Sequence, residues 1–375
     1  MEEGMQNVFF MDMRSSPKES LLQKFKRLLE TAGVPEKMGR GQLLAIKLHF
    51  GEKGNSAFIR PIFIRQLVEL ALERKALPFL TDTNTLYSGS RSDSVSHLRT
   101  AIENGFAYSV VEAPIIIADG LRGSSYQKVA ISGELIKEAY VAKEIYDADF
   151  LLSIAHFKGH ELAGFGGAIK NVGMGCAARK GKLEQHSDLS PKVKAKKCIG
   201  CGMCAEHCSQ KAISLVEKKA QIDQNLCIGC GECIIICPNK AIEIQWSSDI
   251  PRFLKKMVEY SKAVLSNKKD KAFFVNFLTN ISPACDCYGH SDMAICQDVG
   301  VLASWDPVAI DKASADLVNR MPLPMGHFLC DKEGAEKDKF RALYPNVDWQ
   351  FQLKYAEEIG LGTRDYQLVP LGEPA

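Results

Sequence analysis

Eight cysteines between positions 198 and 237 carry the strongest chemical pattern in the sequence. They fall in two runs, CIGCGMCAEHC and CIGCGECIIIC, each spaced Cys-x2-Cys-x2-Cys-x3-Cys. The second run repeats the first 29 positions later, so Cys198, Cys201, Cys204 and Cys208 correspond to Cys227, Cys230, Cys233 and Cys237. Three cysteines at this spacing wrap one face of a four-iron cubane from a single tight loop, and the fourth lies too far round to close the same cube. The expected ligand sets are therefore Cys198, Cys201, Cys204 and Cys237 for one [4Fe–4S] cluster, and Cys227, Cys230, Cys233 and Cys208 for a second. Gly200, Gly202, Gly229 and Gly231 let these loops curl and turn backbone N–H groups toward the sulfides. Zinc is the alternative occupant, but it takes four thiolates, usually as two Cys-x2-Cys pairs, and has no use for an eightfold repeat.

A second concentration of reactive side chains spans 153–186 and follows the apolar run FLLSI. In open α/β sheets, ligands sit beyond the C-terminal ends of such strands. His156, His160, Lys170 and His186 are the candidate catalytic residues of this stretch. Gly164, Gly166, Gly167 and Lys158, with Asp82 from an earlier loop, are the candidate cofactor-binding residues. The glycines precede an expected helix whose first N–H groups would face a phosphate or carboxylate. Two further loops follow strands: HFGEKGN (49–55), with His49, Glu52 and Lys53, and TDTNTLYSGSR (81–91), with Asp82, Thr83, Asn84 and Arg91. They are either ordinary solvated loops or further walls of the same pocket. GFGGA (164–168) lacks the Gly-x-Gly-x-x-Gly pattern with its distal acid, and there is no phosphate-loop Gly-Lys-Ser/Thr.

Five cysteines remain: Cys176, Cys285, Cys287, Cys296 and Cys330. Cys285 and Cys287, two apart on an extended chain, point the same way, and so form a candidate extra metal site or redox pair. Cys176 and Cys296 are candidates for its third and fourth ligands. Buried apolar thiols are the alternative, which we expect for Cys296 and Cys330.

The elements that must position these residues alternate along the chain. Strands are expected at 7–12, 42–48, 77–81, 114–118 and 150–154, with helices at 18–31, 61–74, 92–104 and 133–146 between them. After the cysteines, a helix at 250–265, strands at 272–277 and 299–303, and a helix at 306–319 capped by Asp306 continue the pattern. Helix broken near Tyr344-Pro345 and a short final strand complete it. This alternation predicts an α/β fold, a mostly parallel sheet with flanking helices, interrupted by an inserted ferredoxin-type module. Segments 1–190 and 247–375 would form one α/β domain around the insertion 191–246, with KVKAKK (192–197) leading in and WSSDIP leading out. That basic run is either a solvated linker or a docking patch for an acidic electron-transfer partner.

Composition narrows the setting. The 375 residues carry a formal net charge of +2 with 25% charged residues, which argues for no nucleic acid and no membrane surface. No apolar run reaches membrane-spanning length, and the opening MEEGMQNVFFMDMR does not read as a signal peptide. Eight of the thirteen cysteines committed to clusters imply a reducing compartment, so a cytoplasmic location is expected.

Residues 192–245 resemble the bacterial two-cluster ferredoxins, with Ser209 standing where the first run usually has proline and Pro238 keeping the second. The runs KLHFGEKGN (47–55), AHFKGHELAGFGGAIKN (155–171) and SPACDC…DVGVLASWDPVAID (282–311) resemble a prokaryotic family of unknown function that often carries such an insertion. His160, the run Gly166-Gly167-Ala168-Ile169-Lys170 and His186 are similar in order and spacing to the lactate racemase family, which holds a nickel-pincer nucleotide. That resemblance implies a tethering role for Lys170 and nickel ligation by His186. Two functions stand open. One is an oxidoreductase-like iron–sulfur protein, exchanging electrons between its clusters and a ligand site that holds a further metal or an anionic or nucleotide cofactor. The other is a non-catalytic electron carrier or cofactor-maturation factor whose α/β part docks a partner. The expected partners are a redox protein or a small anionic ligand.

Overall fold

In the computed structural model, which describes residues 5–87, 89–186, 191–227, 229–245 and 249–372, an eight-stranded sheet runs through the body. Its strands in chain order are β1 (Gln6–Asp12), β2 (Leu43–Lys47), β3 (Leu77–Asp82), β4 (Ile115–Ile117), β5 (Phe150–His156), β6 (Ala272–Leu278), β7 (Gly300–Ser304) and β8 (Tyr366–Pro370). Across the sheet they lie in the order β8-β1-β7-β6-β5-β2-β3-β4. Five neighbouring pairs are parallel, and β7 alone runs against its neighbours β1 and β6. The reversal follows from the connection: residues 279–299 contain no helix, and a parallel return would need a crossover.

The strands alternate faces, and each face has its own core. Leu44, Ile46, Leu152, Ile154, Phe273, Val275 and Phe277 meet Phe25, Leu28, Phe63 and Leu67 of helices Leu21–Thr31 and Pro61–Glu73. Ala45, Leu151, Phe274 and Leu302 face the opposite core, built on helices Ala168–Gly173, Ile250–Leu265 and Pro307–Arg320. β5 and β6 are buried along their full lengths, so the centre of the sheet is sealed on both faces. Asp306 caps Pro307–Arg320 by accepting from the N–H groups of Val308 (2.7 Å) and Ala309 (2.9 Å).

The expected helix at 133–146 is instead a hairpin, Tyr126–Ala130 against Glu138–Ala142, followed by the short helix Lys143–Asp147. The cause is a distant carboxylate. Glu259 accepts from the N–H groups of Glu134 (2.7 Å), Leu135 (3.1 Å) and Ile136 (2.6 Å), which fixes a turn where a helix would begin.

The cysteine-rich segment has a small core of its own, including Ile213, Ala220, Ile234 and Ile242, joined by Leu86 and Leu183 of the body. Lys192–Val193 pairs antiparallel with Ile242–Glu243, so the chain enters and leaves this segment side by side. Ser190 and Trp246 to Ser248, at the expected boundaries, lie outside the described residues.

Candidate functional site

The parallel strands end on one edge of the sheet, and a cavity of about 690 Å³ opens there. Lys47, the last residue of β2, and His49 and Glu52 just beyond it form one wall. Asp82, Thr83, Tyr87 and Arg91, from the end of β3 and its loop, form a second. Lys158, His160, Gly166, Gly167, Lys170, Lys182 and His186 follow β5, and Cys285 and Cys287 follow β6. Residues separated by more than two hundred positions thus share one site at the strand ends, the usual place for a ligand in an open α/β sheet.

Five cationic side chains, Lys47, Arg91, Lys158, Lys170 and Lys182, line this cavity against the carboxylates Glu52, Asp82 and Glu161. Asp82 holds Lys47 at 3.1 Å and Arg91 at 3.6 Å. Burial works against charge on Asp82, but Lys47 and the neighbouring His97, His49 and Arg91 prevail and hold its carboxyl far below the usual range. Arg91 also reaches Glu52 (3.3 Å) and the Tyr87 hydroxyl (2.9 Å). Lys182 donates to Thr83 Oγ1 and to the Asn84 carbonyl, and burial pulls its pKa down to about 8. Among the described residues, no acceptor lies within hydrogen-bond reach of the Lys170 ammonium. It is the cation left for a bound anion.

The histidines differ in role. His160 Nδ1 accepts from the N–H groups of Leu162 and Ala163 (both 3.2 Å), which assigns the ring proton to Nε2. Burial, with Lys170 nearby, keeps its pKa far below the ordinary value, so the ring is neutral. His186 stacks on Phe253 at 5.0 Å, and burial pulls its pKa down to about 3. His156 does not reach the cavity. Its Nδ1 lies 2.9 Å from Asp286 and its Nε2 lies 3.0 Å from the Thr279 carbonyl, so it acts as a strut behind the wall.

That strut orders the loop bearing Cys285 and Cys287. Asp286, fully buried, sits between His156 and Lys158 (3.0 Å), and both hold its carboxyl far below the usual range despite burial. The same carboxylate keeps Lys158 charged against desolvation, with its pKa above the ordinary value. Backbone contacts lock this loop to the 49–55 loop. Glu52 N–H donates to the Asp286 carbonyl (3.0 Å), and a Cβ on Gly54 would lie 2.6 Å from the Gly289 carbonyl oxygen. Cys287 Sγ stands 3.5 Å from His49 Nε2 and 3.0 Å from Cys285 Sγ.

Several expectations need correction. The N–H groups at the start of helix Ala168–Gly173 do not face a ligand. Asp311 takes them, at 2.6 Å from Ala168 and 2.9 Å from Ile169. Gly167 is small because of this, since a Cβ would lie 2.2 Å from Asp311 Oδ1. Gly164 packs against Trp349, away from the cavity lining. Lys53 points outward to Glu103 (3.4 Å), and Asn84 binds Asp119 behind the wall. Cys176 and Cys296 are buried separately from the Cys285–Cys287 pair, and burial pushes both thiols up to about 12. Cys330 is exposed, contrary to expectation, on the surface turn Phe328–Asp331. Sequence reasoning missed Lys47, Lys182 and Asp286. Lys47 had a legible signal, a lysine closing the apolar strand LLAIK just before a Gly-containing loop.

The cysteine runs build two further cavities. One is lined by Cys198, Cys201, Cys204 and Cys237, the other by Cys208, Cys227, Cys230 and Cys233. Each therefore draws three cysteines from one run and one from the other. Gly200, Gly202, Gly229 and Gly231 all have positive φ, between 68° and 83°, and curl the two loops. Backbone N–H groups point at sulfur: Ala220 to Cys198 (3.4 Å), Ala212 to Cys208 (3.3 Å) and Ala241 to Cys237 (3.2 Å). Among the described residues, no three His, Cys, Asp or Glu side chains close on a point as a lone metal ion would require. Each set offers four thiolates, the number a [4Fe–4S] cluster takes alongside its own sulfides.

The second cysteine set abuts the body. A Cβ on Gly231, which lines that set's cavity, would lie 3.1 Å from Leu86, and Leu86 also lines the large cavity. Arg179, buried to 1% exposure, donates to the carbonyls of Thr85, Ser92 and Arg122 and pairs with Glu232 at 3.2 Å. It ties the loop after β3 to the cysteine-rich segment.

The sequence pattern of the family described as Domain of unknown function (DUF362) matches residues 44–316, well over half of the chain. No curated protein matches. Among solved structures, the lactate racemase apoprotein from Thermoanaerobacterium thermosaccharolyticum is distantly similar, with a TM-score of 0.35 and 12% identity over 74% of this chain. The similarity covers 51% of that protein, so the chain spans about half its length. No helix among the described residues is long and apolar enough to cross a membrane.

Proposed function

The chain belongs to the DUF362 family, and from that premise we propose that it is an iron–sulfur protein exchanging electrons between two [4Fe–4S] clusters and an anionic ligand in the cavity at the strand ends. When bound, the clusters supply electrons one at a time at a potential set by their surroundings. The observation that carries this reading is the shared wall: Leu86 faces the cavity and also packs against Gly231 beside the second cysteine set. Lys170 offers its ammonium to the ligand, and the neutral His160 presents its Nε2 proton. The buried Lys158–Asp286–His156 chain keeps the wall beside Lys170 ordered and charged. A carrier or maturation factor is the competing reading, but a pure carrier has no use for so large a cavity lined by Lys170, which has no acceptor in reach among the described residues.

Native mass spectrometry of anaerobically purified protein tests this. We expect a small anionic molecule on the wild type, lost or at least tenfold weaker in Lys170→Ala, with iron content unchanged. A mass that survives denaturation of the wild type and is absent from Lys170→Ala would place it covalently on Lys170, the role implied by the likeness to the lactate racemase family. No retained anion in either protein, with electron carriage intact, would favour the carrier.

A further inference from the structure

Cys285 and Cys287 are reactive side chains of the cavity wall that the proposed electron exchange leaves unused. Their Sγ atoms lie 3.0 Å apart, with the Cys285 thiol donating to Cys287. A disulfide bond is about 2.05 Å long, so closing one requires an approach of about 1 Å. Two thiolates on one tetrahedral zinc, each about 2.3 Å from the ion, would stand roughly 3.8 Å apart. The observed spacing lies between the two, and neither Cys176 nor Cys296 lines the cavity beside the pair to complete an ion's ligand set, which leaves a sulfur–sulfur bond as the chemistry two thiols can do alone.

The two sulfurs are not equivalent. His49 Nδ1 accepts from the Gly51 N–H (3.0 Å), so its Nε2 proton faces Cys287 Sγ. The Cys285 thiol and the His49 ring both direct hydrogen at Cys287. The Cys285 hydrogen bond, with His49, holds the Cys287 pKa well below that of an ordinary thiol despite burial, and the same bond and burial hold that of Cys285 above it. Cys287 therefore has the character of an attacking thiolate and Cys285 that of a resolving thiol. The Lys170 ammonium, with no acceptor in reach among the described residues, lines the same cavity and supplies an anchor for a carboxylate.

We propose that Cys285 and Cys287 are a redox-active dithiol that reduces a small carboxylate-bearing disulfide held in the cavity by Lys170. This rests on the reading of the cavity as a redox site. The Cys287 thiolate attacks one substrate sulfur, the substrate S–S bond breaks, and one half leaves as a thiolate. Cys285 gives its proton to that thiolate and attacks the Cys287 sulfur. The Cys285–Cys287 bond forms and the second half leaves as a thiolate. One substrate disulfide becomes a thiol and a thiolate, while the protein's thiol and thiolate become one disulfide. Two electrons, delivered one at a time by a low-potential one-electron donor, and one proton from water restore the thiol and thiolate.

The test exposes anaerobic holoprotein to oxidised glutathione, removes it, and titrates the protein coulometrically with dithionite while EPR follows the clusters. The double variant Cys285→Ser/Cys287→Ser is treated in parallel. The wild type is expected to take up about two more electrons per chain than the variant. Peptide mass spectrometry is expected to find Cys285 joined to Cys287 before reduction and both free afterwards. Equal electron uptake, or free thiols at both positions after exposure, overturns the proposal. Full cluster signals in that case leave the electron-transfer reading standing. A disulfide that forms in protein without cluster signals supports the dithiol and sinks the electron-transfer reading.

Discussion

Asp286 shows how single residues set the chemistry of the cavity. It is fully buried between two cysteines, and its charge is sustained by His156 and Lys158. Replacing it with Asn leaves Lys158 buried without its counter-charge, and we expect a loss of about 3–5 kcal/mol in denaturant unfolding at neutral pH. Because the folded pKa of Asp286 lies below its unfolded value, its stabilisation is present above about pH 4. It is lost as pH falls through the folded pKa. The gap between wild type and Asp286→Asn should therefore narrow below pH 4, and a gap unchanged down to pH 3 would contradict the assignment. Much at this scale was legible in the sequence. His160, Lys170, His186 and Cys285–Cys287 were singled out from their types and spacing, and all line one cavity. Asp286 was passed over because its partners lie 130 residues earlier in the chain, and nothing local marks a carboxylate as buried.

Between residue and fold, the short helix Ala168–Gly173 explains why its glycine-rich approach looks like an anion cradle and is not one. Asp311, on helix Pro307–Arg320, fills the position a phosphate would take. Asn276 of β6 steadies the same carboxylate at 2.8 Å, and burial raises its pKa to about 6. Gly167→Ala would force a methyl group onto Asp311, and we expect a destabilisation of about 1–3 kcal/mol, read as a lower denaturant midpoint. An unchanged midpoint would mean that the cap is not needed. The strands and long helices were readable from apolar periodicity, and helix Ile250–Leu265 has the expected limits. The 126–142 hairpin was not readable. Its turn is fixed by Glu259, more than a hundred residues away, which overrides local helix propensity.

For the whole molecule, the sheet gathers four loop systems at one edge, and the cysteine-rich segment packs against that edge through Leu86, Leu183 and the Arg179–Glu232 pair. The repeat of eight cysteines foreshadows the two groups of four that line separate cavities, because spacing along one tight loop is a local property. The wall shared with the cavity was not legible, since it depends on how the segment packs back onto the body. Iron content decides the matter. The most direct measurement is iron, acid-labile sulfide and zinc per chain in anaerobically purified protein, with low-temperature EPR after dithionite reduction. Two clusters would give about eight irons and eight sulfides per chain, no stoichiometric zinc, and a reduced signal broadened by two clusters interacting within one small module. Zinc in place of iron, or cysteines that bind no metal after anaerobic reconstitution, would contradict the two-cluster assignment.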